Sequence, residues 1–158
     1  MLLRVADAFP DIINRKYMET GEGDIALPAP EMRPHFEAEA AAGFTIGLAD
    51  PDYGHDLCRV IDMIGSYDFT ISVKGDSMEP EIHDGDLLCC RLMRDRMNIP
   101  VGKVCVIDTT EGALVKVVAG ADEQGVILSS FNKRYKNRHV ESANVLQLAL
   151  VTTVIHKF

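Results

Sequence analysis

From about residue 67 the chain alternates apolar and polar side chains with a period of two, the pattern of half-buried strands. Residues 69–73 (Phe-Thr-Ile-Ser-Val) form the first such run and stop at Gly75-Asp76. Further runs fall at 87–92, 103–108, 113–118, 125–129 and 145–155. Asp84-Gly85-Asp86 precedes the second run, and a turn near Glu111-Gly112 joins the third to the fourth. Ala119-Gly120, just past the fourth run, reads as a hairpin turn. Short apolar runs punctuated by Gly and Asp predict a mainly β domain of hairpins, a β-barrel or a folded β-sheet.

The first part of the chain has a different texture. Leu2, Leu3, Val5, Ala6 and Phe9 make a short helical stripe that Pro10 stops, because proline cannot continue a helix. Residues 11–18 have room for one or two more helical turns before Gly21-Glu22-Gly23. Pro28 and Pro30 mark an extended stretch, and the Ala/Glu-rich residues 37–42 end at Gly43. The organisation expected is a trailing helical segment over 1–24, a linker over 25–39 and a β-rich domain over 40–158. There is no repeat and no low-complexity tract.

Composition narrows the function classes. The chain has 158 residues, 47% hydrophobic and 25% charged, which suits one globular domain with an appendage. Its 16 Lys+Arg against 24 Asp+Glu leave a net charge of −8. A surface that grips nucleic acid needs the opposite sign to neutralise phosphates. No apolar run approaches the ~18–20 residues of a membrane span, and no signal segment opens the chain. A cytoplasmic protein with no membrane partner is expected. Cys58, Cys89, Cys90 and Cys105 form no C-x-x-C pair and have no His at zinc-finger spacing, so they read as small buried hydrophobes. Lys133, Arg134, Lys136, Arg138 and His139 cluster around Tyr135 and read as a solvated loop between strands rather than a nucleic-acid patch.

Candidate chemistry begins with Gly75-Asp76-Ser77-Met78-Glu79-Pro80, directly after a strand. A serine on such a turn can expose its hydroxyl while the turn aims backbone N–H groups at a developing oxyanion. Serine is also common in turns for local hydrogen bonding alone. Lys116 is the one polar residue in Ala113-Leu114-Val115-Lys116-Val117-Val118. An ammonium held against apolar surface is desolvated, which lowers its pKa toward the range of a general base. The competing reading is an edge-strand lysine that extends to water. Asp84 and Asp86 have no His or Glu partner at supporting spacing and read as turn formers. No metal site and no cofactor is expected.

Four separated blocks together carry a resemblance. Gly75-Asp76-Ser77-Met78-Glu79-Pro80, Asp84-Gly85-Asp86-Leu87-Leu88, Gly102-Lys103-Val104-Cys105-Val106 and Leu114-Val115-Lys116-Val117-Val118 resemble, in order and spacing, the LexA/UmuD/phage-repressor family of self-cleaving serine peptidases. Ser129, Asn132 and Tyr135 resemble the loop that follows the lysine strand in those domains. Bacterial signal peptidase shares the serine and lysine blocks but requires a membrane anchor. The resemblance implies a LexA-like, signal-peptidase-like fold with Ser77 as nucleophile, Lys116 as general base and the amides of Ser77 and Met78 as oxyanion hole. It also implies cleavage of the chain's own Ala42-Gly43 bond, 35 residues before Ser77. The competing reading of Ala42-Gly43 is an ordinary helix end with glycine at its C-terminus. Residues 8–23 resemble the last helix and exit of a helix-turn-helix domain, so operator DNA is a partner only through a missing or truncated N-terminal part. A homodimer through residues 145–158 is implied, with Leu146, Leu148 and Leu150 as its apolar strand. Activation by a RecA filament or an antirepressor protein is implied as well. A non-cleaving dimerisation and sensing module is the alternative.

Overall fold

The computed structural model describes residues 14–24, 31–37, 64–94 and 98–158, together with the backbone of 56–59. It divides into two units, Met1–Glu31 and Met32–Phe158. In the first, helix α1 (Arg15–Thr20) starts at Asn14, whose side chain accepts from the Tyr17 amide. It stops at Gly21, which takes the left-handed conformation that closes helices. The stripe at residues 2–9 lies outside the described residues.

The second unit is one hydrogen-bonded sheet, of nine strands among the described residues. They are β1 (Met32–Phe36), β2 (Asp56–Arg59), β3 (Phe69–Ser72), β4 (Leu87–Leu92), β5 (Val104–Thr109), β6 (Gly112–Ala121), β7 (Gly125–Ser129), β8 (Arg138–Glu141) and β9 (Val145–Ile155). Their spatial order is β2-β1-β3-β4-β9-β5-β6-β7-β8. All pairings are antiparallel except β1 with β3. The mainly β architecture expected from the alternation is the one observed, preceded by a small helical piece.

Period-two alternation sends side chains to two separate cores. One face gathers Phe36, Phe69, Ile71, Val73, Met78, Leu88, Cys90 and Val106, with Phe36 and Phe69 edge to face at 5.6 Å. The other gathers Cys105, Ile107, Val118, Val126, Leu128, Val140 and Leu148. In β6, Ala113, Val115 and Val117 pack on the first core, and Leu114 and Val118 on the second. Lys116 shares the parity of the second set and stands opposite Cys105 of β5.

Several sequence readings change in three dimensions. Residues 32–36, inside the stretch read as linker, form β1. Pro34 tolerates this because parallel pairing with β3 begins only at His35, so its missing amide is not required there. Arg138 and His139, read as part of a solvated loop, lie in edge strand β8, which is held by β7 and by the single buried apolar residue Val140. Arg138 pairs with Glu111 and His139 contacts Asp122, so both side chains are engaged locally. Ala119-Gly120 is not a hairpin turn: β6 continues to Ala121 through a bulge between Val118 and Gly120. The reversal comes at Asp122, whose carboxylate accepts from the Gln124 and Gly125 amides. Gly125 itself is demanded by packing, since a Cβ there would collide with the Val140 carbonyl oxygen. Of the three leucines of the expected dimer strand, Leu148 is buried in the second core and Leu150 packs against it, partly buried. Leu146 alone of the three is exposed.

Cys89, Cys90 and Cys105 are fully buried thiols. Burial pushes the Cys105 thiol up to about 12, and raises Cys89 and Cys90 as well. Thiolates, the reactive form, are thereby suppressed. Alkylation at pH 8 followed by peptide mapping should leave all three unmodified in the native protein and label them in urea; native labelling would show that the sheet opens there. Leu88→Ala, which empties a fully buried site, should lower unfolding stability by about 2–5 kcal/mol in urea titrations.

Candidate active site

β3 feeds the chain into the turn that carries Ser77, and that turn is tied down at both ends. Val73 exchanges backbone bonds with its neighbour turn: its amide donates to the Asp86 carbonyl and its carbonyl accepts from Gly85, both at 2.8 Å. The Gly75 amide donates to Asp84 Oδ1 at 2.6 Å. Gly75 has φ +91°, a left-handed conformation that side-chain-bearing residues resist. Met78 is buried in the first core, and its carbonyl accepts from the Ile82 amide at 3.0 Å. Ser77 is therefore held between a glycine hinge and a buried anchor. Among the described residues the Ser77 and Met78 amides have no backbone acceptor.

Lys116 arrives from β6, 39 residues later, with its ammonium donating to Ser77 Oγ at 2.6 Å. Burial lowers its pKa, while the negative charge of Asp76 acts in the opposite direction. The lysine is thus poised by two competing effects, and desolvation is the larger.

The loop after β7 covers the pair. Asn132 donates through its amide to the Ser77 carbonyl at 3.2 Å and through Nδ2 to the Asp76 carbonyl at 3.0 Å. The Tyr135 hydroxyl donates to the Asp76 carboxylate, which raises the phenol pKa. The Tyr135 ring centroid lies 5.5 Å from Lys116 Nζ, within cation–π range. Tyr135 sits in the basic cluster read as a solvated loop, and with Asn132 in the loop whose sequence resembles the one after the lysine strand of the family. Neither its role nor that of Asp76 is visible from spacing, because 59 residues separate the two.

A cavity of about 150 Å³ runs between the end of β3 and the start of β6, lined by Ser72, Val73, Lys74, Ser77, Leu114 and Lys116 among others. Residues 113–116 pair with β5 on one edge, whereas pairing with β7 begins only at Val117. Among the described strands, the other edge of 113–116 has no ladder partner, which suits an incoming extended peptide. Ala42 and Gly43 lie outside the described residues.

Asp84 and Asp86 do more than form a turn. Asp84 holds the serine turn through Gly75, and Asp86 is buried and accepts from the His83 and Lys157 amides and from His156 Nδ1. Burial works to raise the Asp86 pKa, but these bonds outweigh it and hold the carboxyl below its ordinary value. His156 lies 70 residues downstream, so a search by spacing finds no partner for this aspartate.

Titration of the Lys116 side chain by NMR should give a pKa below the ordinary value of about 10.4. Asp76→Asn removes the charge that favours the ammonium and should lower it further. A higher value in that variant would contradict the electrostatic account.

No curated protein matches the sequence. A family model does: the one described as Peptidase S24-like matches residues 34–152. That span contains the serine turn, the lysine strand and the Asn132–Tyr135 loop, and the chain belongs to the Peptidase S24-like family.

Proposed function

We propose that this protein is a self-cleaving serine endopeptidase in which Ser77 and Lys116 hydrolyse the chain's own Ala42-Gly43 bond, within a regulator of the phage-repressor type. The carrying observation is the 2.6 Å approach of Nζ to Oγ beside a cleft with an unpaired strand edge. In the neutral-amine form, the Ser77 hydroxyl donates to Nζ. As Oγ attacks the Ala42 carbonyl carbon, that proton passes to the amine. The resulting oxyanion is stabilised by the Ser77 and Met78 amides. The Lys116 ammonium then protonates the departing Gly43 nitrogen, leaving Ala42 as an ester on Ser77. Water, deprotonated by the same amine, releases the Ala42 carboxylate and restores the serine.

The topology supports attack within one chain. β1 runs parallel to β3, with Phe36 level with Ile71, so both strands leave the sheet in the same direction. Glu37, the next residue, lines one surface hollow with Ser72, Val73 and Lys74. Ala42 is five residues further, a reach of up to about 17 Å for extended chain. Small side chains at 40–43 suit a narrow cleft. Cleavage would leave residues 1–42 attached to the rest of the chain only through the non-covalent pairing of β1 with β2 and β3. If the parent regulator contacts operator DNA through an N-terminal part and dimerises through this one, the cut uncouples the two activities. A RecA filament or an antirepressor protein is the class of partner that would trigger it.

Incubation of the purified chain across pH 7–10, with products weighed by mass spectrometry, tests this reading. Fragments 1–42 and 43–158 should accumulate faster as pH rises, because the reactive lysine is the deprotonated one, and the rate should level off below the pKa of an ordinary lysine. Ser77→Ala and Lys116→Ala should each slow cleavage by at least about a hundredfold without unfolding the protein. A folded chain that stays intact throughout, with RecA–single-stranded DNA added as well, would sink the proposal and leave a non-cleaving dimerisation module.

A further inference from the structure

Away from the cleft, the sheet brings together a second group of side chains. His83 and Asp86 come from the turn that precedes β4, and His156 from the segment that follows β9. The Nδ1 atoms of both imidazoles face one carboxylate oxygen, Asp86 Oδ2, at 3.7 Å for His83 and 2.8 Å for His156. One donor atom from each residue lies within 4.8 Å of the others. The ring centroids are 5.7 Å apart with planes at 71°, so the rings flank the carboxylate without stacking.

We infer that His83, Asp86 and His156 form a binding site for one divalent transition-metal ion of the zinc type. Zinc–nitrogen and zinc–oxygen bonds of about 2.0–2.2 Å place tetrahedral donors about 3.3 Å apart. The two observed separations, 2.8 and 3.7 Å, bracket that value. Small rotations of the imidazoles bring all three donors to one ion, which takes the place of the proton between His156 Nδ1 and Asp86 Oδ2. The side chains able to move are the right ones: the two imidazoles are about half exposed, at 54% and 48%, whereas Asp86 is 1% exposed. The carboxylate is held by the His83 amide at 2.7 Å and the Lys157 amide at 3.1 Å. Such outer bonds orient a ligand before the ion arrives. Solvent on the imidazole side supplies water as the fourth donor.

Donor chemistry selects the ion. Two imidazole nitrogens with one carboxylate oxygen suit zinc and its neighbours, whereas calcium and magnesium demand shells made mostly of oxygen. The ion would cross-link the C-terminal segment to the turn whose Asp84 holds Gly75 of the serine turn. Zinc therefore stabilises the folded sheet, since it binds that arrangement of distant residues and not the unfolded chain.

The full chain, untagged and stripped with a chelator, is titrated with zinc chloride in a calorimeter, with magnesium chloride as comparison. One zinc per chain is expected, no magnesium, and a Tm raised by about 5 °C or more when zinc exceeds Kd a hundredfold. His83→Asn and His156→Asn should each weaken zinc binding by more than about tenfold, since even the outer partners of metal ligands contribute that much. The double variant should lose both the binding and the thermal shift. His139→Asn, which alters an exposed histidine beside Asp122 alone, should change neither. Both ligand histidines are exposed, so these variants keep the fold, checked by circular dichroism. Zinc binding of unchanged strength in the double variant, or none in the wild type, overturns the inference.

Discussion

The withdrawal of one lysine amine from water beside a serine hydroxyl is the constraint around which this domain is arranged. Lys116 reaches Ser77 Oγ only because β6 holds its register against β5, with Lys116 opposite Cys105. β5 is in turn fixed against the long strand β9, where Cys105 stands opposite Leu150. A slip of one residue in β6 would send Lys116 to the other face and put an apolar side chain in its place. Flanking Leu114 and Val118 make that slip costly, since each would leave the second core. The apolar alternation that builds the sheet therefore also aims the amine.

Desolvation alone would leave the amine without counterbalance. Asp76 supplies one, and the loop after β7 fixes Asp76 in place through Asn132 and Tyr135. The same loop holds the Ser77 carbonyl through the Asn132 amide. The Ser77 hydroxyl and the Asp76 carboxylate thus come from the β3–β4 turn, the Lys116 amine from the middle of β6, and the Asn132 and Tyr135 side chains that hold Asp76 from the loop after β7. None of the three segments has the geometry by itself. Beyond them, Asp86 ties the serine-bearing region to the residues that follow β9, so the C-terminal end of the sheet is coupled to the turn that presents Ser77.

Much of this was legible in one dimension, for identifiable reasons. β4, β7 and β9 have the bounds that alternation marks, because their apolar residues are long runs bounded by Asp, Gly or Asn. β1 and β8 were not legible. Met32–Phe36 carries Pro34 between Arg33 and His35, the composition of a linker, and Arg138–Glu141 offers a single apolar residue. Both are strands chiefly because a neighbour supplies the ladder. Ala119-Gly120 has the composition of a turn yet lies within a bulged strand, since a Gly in a strand marks a bulge as readily as a reversal.

The sequence by itself determined the class of fold, the serine turn, the lysine strand and the burial of three thiols. Each follows from local signals: period-two patterning, a glycine before a serine, and one charge in an apolar run. Tertiary structure decided which of the plausible partners meet. It brought Lys116 to Ser77 across 39 residues, Tyr135 to Asp76 across 59 and His156 to Asp86 across 70. Such pairings depend on strand order and register, which are set by the packing of both cores at once; the spacing of the serine and lysine blocks pointed to the first through a family resemblance, whereas nothing in the spacing marks the other two.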